Sequence, residues 1–345
     1  MKLVFRLCIS LATLVLFCHA QEAKKDIVDI LLIKKDGKYG FIGRNGQIII
    51  NPQFKDADQF FEELARVKIN GKYGFINKKG EIVIKPQFVD AKNFHEGLAA
   101  VRVDRKWGYI DKTGNFIFKP EYTWVGSFID GMARVSWEKG WGYMDKTGHP
   151  AVVFNKKVSY SLGPVREFAR FSEGLAVIQV GGYQHDYTVE FGKYGYVDKA
   201  GNIVIKAEFD YAGLFSEGLA MVYLKSKSGY INRNGQIVIE PQFSAAAPFH
   251  EGYAAVKFSN KWGYVNRQGQ IIVSPRFDEA SDFSEGLAAV KLKNKWGYIT
   301  SNGEEKIPFN FDIADPFTDG IASIETDKKY GYIDTSGKYI WEPTS

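Results

Sequence analysis

The stretch KWGYIDKTGNFIFKP, residues 106–120, returns nearly unchanged as KYGFINKKGEIVIKP at residues 72–86 and as KWGYVNRQGQIIVSP at residues 261–275. Alignment on the aromatic-glycine pair gives nine copies, spaced 34 residues apart except for one interval of 53. The first glycines of the copies are Gly40, Gly74, Gly108, Gly142, Gly195, Gly229, Gly263, Gly297 and Gly331. A fixed period of this size indicates a solenoid, a propeller or another tandem array.

Each copy contains three segments in which apolar residues recur at every second position. In the third copy they are LAAVRV at residues 98–103, WGYI at 107–110 and NFIFKP at 115–120. This period is that of a β-strand, and the polar DKTG between the last two segments is typical of a tight hairpin turn. We therefore predict an all-β fold in which each unit is a three-stranded antiparallel meander.

Two glycines recur in every unit, and different reasons are expected for them. The second, six positions after the first, ends the hairpin turn, where glycine takes the left-handed backbone conformation without steric cost. The first lies inside a strand, where glycine is unfavourable unless another group approaches the backbone closely. We expect a neighbouring unit to press against it.

A connector follows the third segment, as in KPQFVDAKNFHEGLA at residues 85–99. Its proline is expected to end the hydrogen-bonded ladder, and Phe88 and Phe94 are expected to pack one meander on the next. An acidic residue recurs before the connector glycine, and we expect it to accept backbone N–H groups and close its own turn rather than bind a metal. These acids are Glu62, Glu96, Asp130, Glu173, Glu217, Glu251, Glu285 and Asp319.

The repeated KWGYIDKTG and KYGFINKKG, together with the FxEGLA connector, resemble the WG-repeat proteins of bacteria, also called KWG-repeat proteins. The resemblance covers essentially all of residues 27–343. Departures are Ser228 in place of the aromatic residue, Glu63 in place of a connector glycine, and Pro308, which is shifted by one position. The resemblance implies a repeat protein and brings no catalytic chemistry with it.

Two parts of the chain are predicted from these patterns. Residues 1–20 have a basic start, a short apolar run and a small residue at the end, which is the layout of a cleaved signal peptide. Residues 21–345 form the repeat domain of nine units, with insertions at about 149–170 and 181–192. Both cysteines, Cys8 and Cys18, lie in the signal peptide, so disulfides and thiolate metal sites are excluded from the mature chain.

A unit of this length buries too little apolar surface to fold alone, so the units must stack. The stack could remain an open superhelix or close into a β-propeller. The units are shorter than typical four-stranded blades, and nine exceeds the usual number of blades. The chain also offers no strand for exchange between its ends. We therefore expect the open array, with the propeller as the alternative.

Motifs for catalysis, cofactors or metals are missing from the sequence. The chain has no GxSxG, GxxxxGK[ST] or HExxH pattern, and His95 and His250 fill a repeat position that also accepts serine, threonine and isoleucine. A formal charge of +5, falling to +3 without residues 1–20, is spread along the chain and predicts no nucleic-acid partner. No mature segment is long and apolar enough to span a membrane. We expect a non-enzymatic protein without catalytic residues, cofactor or metal.

The inserted stretch GGYQHDYTVEFG at residues 181–192 interrupts the uniformity and carries exposed aromatic candidates. We predict that it extends the first hairpin of the fifth unit as a binding loop, with Tyr183, His185, Tyr187 and Phe191 as its contact residues. A tolerated surface loop is the alternative.

The tryptophans and tyrosines of the repeats raise the same question, and we expect them to be core residues rather than a ladder for sugar stacking. The predicted function is an exported, periplasmic, cell-surface or extracellular scaffold that presents an extended surface to a protein or glycan. The alternatives are a glycan- or cell-wall-binding protein that uses exposed aromatics and, less favoured, a hydrolase built on a propeller.

Overall fold

The structure is a computed structural model that describes residues 30–138, 140–155, 170–185 and 188–344. These residues form 35 strands in nine antiparallel sheets, and no helix occurs among them. The all-β prediction is confirmed. We number the sheets one to nine in chain order and call them blades.

The strands follow one another in chain order within every blade. Blades one to three contain β1 (Ile30–Lys35), β2 (Lys38–Gly43), β3 (Ile48–Phe54); β4 (Ala57–Phe61), β5 (Leu64–Ile69), β6 (Lys72–Ile76), β7 (Ile82–Phe88); and β8 (Asp90–Ala91), β9 (Ala99–Val103), β10 (Lys106–Ile110), β11 (Phe116–Tyr122). Blades four to six contain β12 (Trp124–Val125), β13 (Met132–Trp137), β14 (Gly140–Asp145), β15 (Pro150–Asn155); β16 (Phe171–Ser172), β17 (Leu175–His185), β18 (Thr188–Asp198), β19 (Ile203–Phe209); and β20 (Tyr211–Ser216), β21 (Leu219–Leu224), β22 (Lys227–Asn232), β23 (Ile237–Phe243). Blades seven to nine contain β24 (Ala245–His250), β25 (Tyr253–Phe258), β26 (Lys261–Asn266), β27 (Ile271–Phe277); β28 (Glu279–Ser284), β29 (Leu287–Leu292), β30 (Lys295–Thr300), β31 (Glu305–Phe311); and β32 (Ile313–Ala314), β33 (Ile321–Thr326), β34 (Lys329–Asp334), β35 (Tyr339–Thr344).

Blades two to nine have four strands each, one more than the meander predicted from the sequence. The extra strand comes from the connector, which pairs with the next segment along the chain; Ala57, for example, lies opposite Val67. First strands of successive blades contact one another, as β20 with β24 and β24 with β28. The first strands therefore face the centre, and the fourth strands form the rim.

The connector phenylalanines pack one blade on the next, as predicted. Phe94 at the first strand of blade three is fully buried, and its ring centroid lies 4.9 Å from that of Phe75 in blade two. Phe128 of blade four is placed in the same way against Tyr109 of blade three. Burying one such ring stabilises the fold by about 1.5–3 kcal/mol. The core therefore lies between the sheets.

The atoms that approach the first repeat glycine belong to its own blade, so the prediction that a neighbouring unit packs against this glycine was wrong. A Cβ atom on Gly108 would lie 2.5 Å from the carbonyl oxygen of Phe118 and 2.9 Å from the nitrogen of Pro120, both in the same sheet. The fourth strand bulges at this point, since Trp107 faces Tyr122 while Tyr109 faces Phe118. Because a bulge tolerates a proline, the strand continues past Pro120 instead of ending there.

The second repeat glycine contacts the neighbouring blade. Gly114 has a φ of 90°, and its missing Cβ leaves room for Ile84 of the preceding blade, whose Cγ2 would be 3.2 Å away. Gly269 has the same relation to Ile239. This glycine forms the hairpin turn, as predicted. It also allows close packing against the preceding blade, which was not predicted.

Repeat tyrosines link five of the blades to the blade that follows. The hydroxyl of Tyr109 in blade three donates at 2.7 Å to the carbonyl oxygen of Gly126, which follows the first strand of blade four. The same bond at the same distance recurs at Tyr196, Tyr230, Tyr264 and Tyr298. We call this contact the tyrosine latch. It pairs a buried hydroxyl with a carbonyl, and leaving either unpaired would destabilise the fold.

The row of acids forms a second link. The carboxylate of Glu62 in blade two accepts the backbone N–H of Gly97 in blade three at 2.9 Å, and Glu96 accepts that of Gly131 at 3.1 Å. The prediction that these acids accept N–H groups is confirmed for seven of the eight, but each of the seven closes the next blade's turn rather than its own. Further N–H donors in this row are Gly174, Gly218, Gly252, Gly286 and Gly320.

The blades close into a ring, so the preferred open array was wrong and the alternative, a nine-bladed β-propeller, is correct. Arg44 of blade one donates to the carbonyl oxygen of Asp319 in blade nine at 2.6 Å. Leu31, Ile33 and Ile42 of blade one form a core cluster with Ile321 of blade nine. Because the repeat contacts recur from blade to blade within the ring, similar rotations accumulate until the last blade meets the first, and no strand exchange is needed.

The meander gives the propeller two unlike faces. Turns between first and second strands and between third and fourth strands lie on one face, which we call the acid face because the acid row lies there. Turns between second and third strands lie on the opposite face, which we call the hairpin face.

Candidate binding site

The repeat aromatics divide into two groups. Tyr109, Tyr143, Tyr264 and Tyr298 are fully buried between blades, as predicted for core residues. The tryptophans two positions earlier, such as Trp107 and Trp141, are half-buried, and they lie at strand ends that meet the hairpin face. These tryptophans pack against the core clusters and remain partly exposed, so the repeat places an indole ring at the edge of the core in several blades.

These indoles are accompanied by cations. In blade three the guanidinium carbon of Arg102 lies 5.7 Å from the Trp107 ring centroid, and in blade seven Lys257 Nζ lies 5.7 Å from that of Trp262. Cross-strand pairing explains the contact, because Arg102 lies directly opposite Trp107 and Lys257 opposite Trp262. Such contacts stabilise by about 0.5–1 kcal/mol where they are exposed.

Blades three and four concentrate this pattern into one continuous array. Lys92 Nζ lies 5.8 Å from the Trp107 centroid and 4.8 Å from that of Trp124, so it bridges the two blades. Arg134 continues the array, 5.2 Å from Trp124 and 4.8 Å from Trp141. We call these side chains the cation–indole cluster; its members are Lys92, Arg102, Trp107, Trp124, Arg134 and Trp141.

The cluster is positively charged and partly dehydrated. Its six side chains carry three positive charges and no negative one. Burial lowers the pKa of Lys92, and the nearby carboxylate of Asp90 acts in the opposite direction. Asp90 lies 3.5 Å from Arg102 and 4.0 Å from Arg66, so two guanidinium groups share it.

Blade two adjoins the cluster but is balanced internally. Arg66 lies 2.8 Å from Asp58 and donates to the carbonyl oxygen of Ala91 at 2.9 Å. Burial raises the pKa of Asp58, while Arg66 opposes that shift. Burial and a hydrogen bond to Asp56 raise the pKa of Tyr73 to about 12. These groups hold blade two against blade three.

The chemistry available in the cluster is that of binding. It provides cations at fixed positions and partly exposed ring edges, which suit an anionic partner. Among the residues that the structure describes, no group of three or more histidine, cysteine, aspartate or glutamate side chains could hold a metal ion. The described ranges also contain no helix long and apolar enough to cross a membrane.

The predicted binding loop is an extension of the second and third strands of blade five. β17 and β18 have eleven residues each, whereas their counterparts in other blades have five or six. Tyr183 lies opposite Glu190 and His185 opposite Thr188, and Phe191 lies opposite Gly182. The predicted hairpin extension is thus confirmed. Tyr187 lies outside the described residues, and the binding role of all four residues stays a prediction.

The first predicted insertion and the signal peptide fall largely or wholly outside the described residues. Residues 150–155 form β15, the fourth strand of blade four, and the description resumes at residue 170. Residues 1–20 are not described. The acid face has a shallow open depression lined by Glu96, Asp130, Gly131 and Lys199, in which Lys199 pairs with Asp130 at 2.6 Å. Its charges are paired within the scaffold.

The two central histidines are less permissive than the sequence indicated. At this repeat position Ser216 and Ser284 donate to carbonyl oxygens of the following blade. His250 instead places its Nε2 3.3 Å from the carboxylate of Asp282, whose pKa is raised by burial. Burial lowers the pKa of His95, and its ring packs on Phe61. The position therefore links neighbouring first strands.

Lys92, Trp124 and Arg134 were missed in the sequence. A signal for them exists in the repeat alignment, because the corresponding positions in blades seven and eight carry small residues. Ala247 and Ser281 take the place of Lys92, and Ala255 and Ala289 take that of Arg134. No other unit has a lysine or arginine at the position of Lys92, whereas the position of Arg134 is also an arginine, Arg66, in blade two. The departure at Lys92 therefore marks a candidate for function.

A model of the family described as WG containing repeat matches the chain seven times, over more than half of its length. The matched residues are 39–73, 73–107, 107–136, 194–227, 229–262, 262–296 and 296–330. A comparison with curated proteins gives no match.

Solved structures resemble the chain in fold. The crystal structure of a eukaryotic initiation factor has a TM-score of 0.62 at 9% identity, covering 90% of this chain and 94% of that one. Hsv2p of Kluyveromyces lactis has a TM-score of 0.42 at 8% identity, covering 72% and 92%. Dihydro-heme d1 dehydrogenase NirN has 0.42 at 9% identity, covering 92% and 73%. The first likeness agrees with the propeller fold.

Proposed function

The chain belongs to the WG-repeat family, and we propose that it is an exported, non-enzymatic scaffold that binds a partner on the hairpin face of its propeller. The observation that carries this proposal is the cation–indole cluster. The buried aromatic position and the glycines recur for stacking, and Arg134 has a counterpart in Arg66 of blade two. Lys92 and Trp124, in contrast, are residue types that no other unit has at these positions. They lie together across one blade interface, where they support a binding role.

Export is proposed from the pattern of residues 1–20, in which Lys2 and Arg6 precede an apolar run that ends at Cys18-His19-Ala20. Cleavage after Ala20 would leave a chain without cysteine, and such a chain needs no particular redox environment to fold. The cluster would then face the periplasm, the cell surface or the medium.

The proposal is tested on the full chain carrying a C-terminal tag. Intact-mass analysis of the exported fraction should find a protein that begins at Gln21. Purified protein should bind at least one of four immobilised classes saturably: acidic protein, basic protein, peptidoglycan and neutral glycan. Added salt should weaken the binding. Retention of residues 1–20 in the cytoplasm, turnover of a bound glycan, or failure to bind any class while the β-sheet circular dichroism is intact would each contradict it.

A further inference from the structure

Cations cover the ring faces of two indoles in the cluster. Sugar stacking needs a free indole face, because the apolar plane of the ring packs on the plane of the sugar. Trp107 is approached by both Lys92 and Arg102, and Trp124 by both Lys92 and Arg134. The rings thus serve as supports that hold positive charge at defined positions. This arrangement favours an anionic partner over a neutral sugar.

The cations are restrained before any partner arrives. Lys92 is half-buried between two indoles, and both arginines lie against ring systems that limit their rotamers. Less side-chain freedom is lost on binding when a side chain is already ordered, so the charges are preorganised. A guanidinium group presents its N–H donors in a planar fork that matches a carboxylate. The same fork also matches a phosphate, so this geometry predicts oxyanions, of which carboxylates are the kind that a protein partner presents.

The composition of the cluster is that of a protein interface. Tryptophan and arginine dominate the few residues that carry most of the binding energy in protein complexes, and both occur here next to each other. The array from Arg102 through Lys92 to Arg134 is linear and crosses from blade three to blade four. A linear row of cations fits a linear segment with several acidic side chains.

We propose that the cation–indole cluster binds an acidic segment of a partner protein, whose Asp or Glu carboxylates pair with Lys92, Arg102 and Arg134. This assignment rests on the proposed scaffold function and specifies its ligand. It excludes neutral glycans as the ligand of this cluster and ranks acidic polysaccharides below acidic peptides.

Blades seven and eight provide a matched control within the same chain. Lys257 and Lys291 lie 5.7 and 5.9 Å from the centroids of Trp262 and Trp296, but each indole has one cation and not two. Glu279 also pairs with Lys291 at 2.8 Å. Removing these two lysines changes the net charge as much as removing Lys92 and Arg134 does, without touching the array.

The experiment measures binding of a fluorescent peptide of alternating glutamate and glycine to the full chain, by anisotropy. The double variant Lys92→Met/Arg134→Met should bind about tenfold more weakly than the parent protein. The control Lys257→Met/Lys291→Met should change affinity by less than about twofold. Arg134→Lys alone should keep part of the affinity, since it retains charge and loses the planar fork. Chemical denaturation shows whether each variant is folded.

Three outcomes overturn the assignment. The first is equal weakening by the two double variants, which would indicate a diffuse charge effect. The second is equal binding of a matched peptide of alternating glutamine and glycine. The third is tighter binding of oligogalacturonate than of the acidic peptide, which would make the ligand an acidic polysaccharide. Scaffold function would survive any of these if another immobilised class still binds, so the two proposals fail separately.

Discussion

A tyrosine hydroxyl donates to a backbone carbonyl oxygen both at the interface that closes the ring and at interfaces within the ring, but the surrounding residues differ. Between blades seven and eight, the hydroxyl of Tyr264 donates to the carbonyl oxygen of Ser281 on a first strand. Between blades nine and one, Tyr332 donates instead to Leu32, which lies on β1, in a blade with three described strands. Gln59 from blade two completes this site by donating to Tyr332 and accepting from the Leu32 N–H. We call the interface between blades nine and one the seam.

This difference shows that ring closure depends on satisfied polar groups rather than on strand exchange. Leu32 presents a backbone N–H and a carbonyl group toward the centre. In blade three the counterpart of Leu32 is Ala100, whose carbonyl oxygen accepts the backbone N–H of Lys92, just after the first strand. At the seam two side chains supply these bonds. Buried backbone groups must be paired somewhere, and Gln59 and Tyr332 pair them. The seam should therefore be more sensitive to side-chain changes than any other interface.

The largest effect is expected from a methyl group placed at the seam. In Gly46→Ala the new Cβ would lie 2.7 Å from the carbonyl oxygen of Ile340, a backbone atom that cannot rotate away. We expect a loss of about 3 kcal/mol in the free energy of unfolding, from overpacking added to a φ of 77°. Gly80→Ala, which meets the flexible Ile50 side chain at 3.3 Å, should lose about 2 kcal/mol.

Gly71→Ala separates overpacking from backbone strain as causes of the lost stability. Gly71 has a φ of 80° but nothing within 4 Å of its Cβ position, so the substitution should lose about 1 kcal/mol from backbone strain alone. Denaturant unfolding of the three variants measures the series. Equal losses at all three glycines would show that the seam is no tighter than an isolated turn.

A smaller effect is expected from removing one hydroxyl. Tyr332→Phe leaves the Leu32 carbonyl and the Gln59 amide without their partner, and we expect a loss of about 2 kcal/mol. Tyr264→Phe leaves a single carbonyl unpaired and should lose about 1 kcal/mol. Unfolding midpoints at unchanged m-value give the comparison. A larger loss for Tyr264→Phe would reverse the ranking of the two interfaces.

The smallest effect on the stability of the seam is expected in alkaline solution. Burial raises the pKa of Tyr332 from 10.0 to about 12, and Gln59 moderates that shift. Burial also raises the pKa of Tyr264 well above its ordinary value. The neutral hydroxyl of Tyr332 contributes its full stability below pH 10, and this contribution is lost as the pH rises through 12. The seam should therefore lose this contribution between pH 10 and pH 12.

Tyr332→Phe provides the reference for this pH effect. The stability advantage of the parent protein over the variant should be constant below pH 10 and shrink as the pH approaches 12. Unfolding at a series of pH values measures the advantage, and tyrosinate absorbance follows the ionisation itself. A constant advantage across this range would mean that the hydroxyl of Tyr332 does not titrate in the folded seam.

The repeat, the all-β class and the packing role of Phe94 could be predicted because they depend on local spacing. The fourth strand could not, since Pro120 predicts the end of a strand and the bulge opposite Gly108 lets the strand continue. Ring closure was missed for a different reason. It depends on contacts such as that of Arg44 with Asp319, between residues at opposite ends of the chain, and no local pattern encodes the angle between blades.

Part of the candidate site could also be predicted from the sequence. Trp107 and Trp141 belong to the repeat motif, so the sequence identifies them as residues that lie either in the core or at the surface. Lys92 and Trp124 come from different units, and their contact exists because two first strands are adjacent in space. Sequence comparison among the units can show that Lys92 is unusual, but the stacked blades are needed to show which rings it contacts.

Spin-label distances between equivalent turn positions test ring closure most directly. Asn45, Lys79, Ala200 and Ser336 are exposed at the same turn of blades one, two, five and nine. Cysteines are placed pairwise at these positions in a background without Cys8 and Cys18, and pulsed electron resonance gives the distances. In a closed ring the 45–336 distance equals the 45–79 distance and is shorter than the 45–200 distance. A 45–336 distance longer than the 45–200 distance would show an open array and contradict the closed propeller.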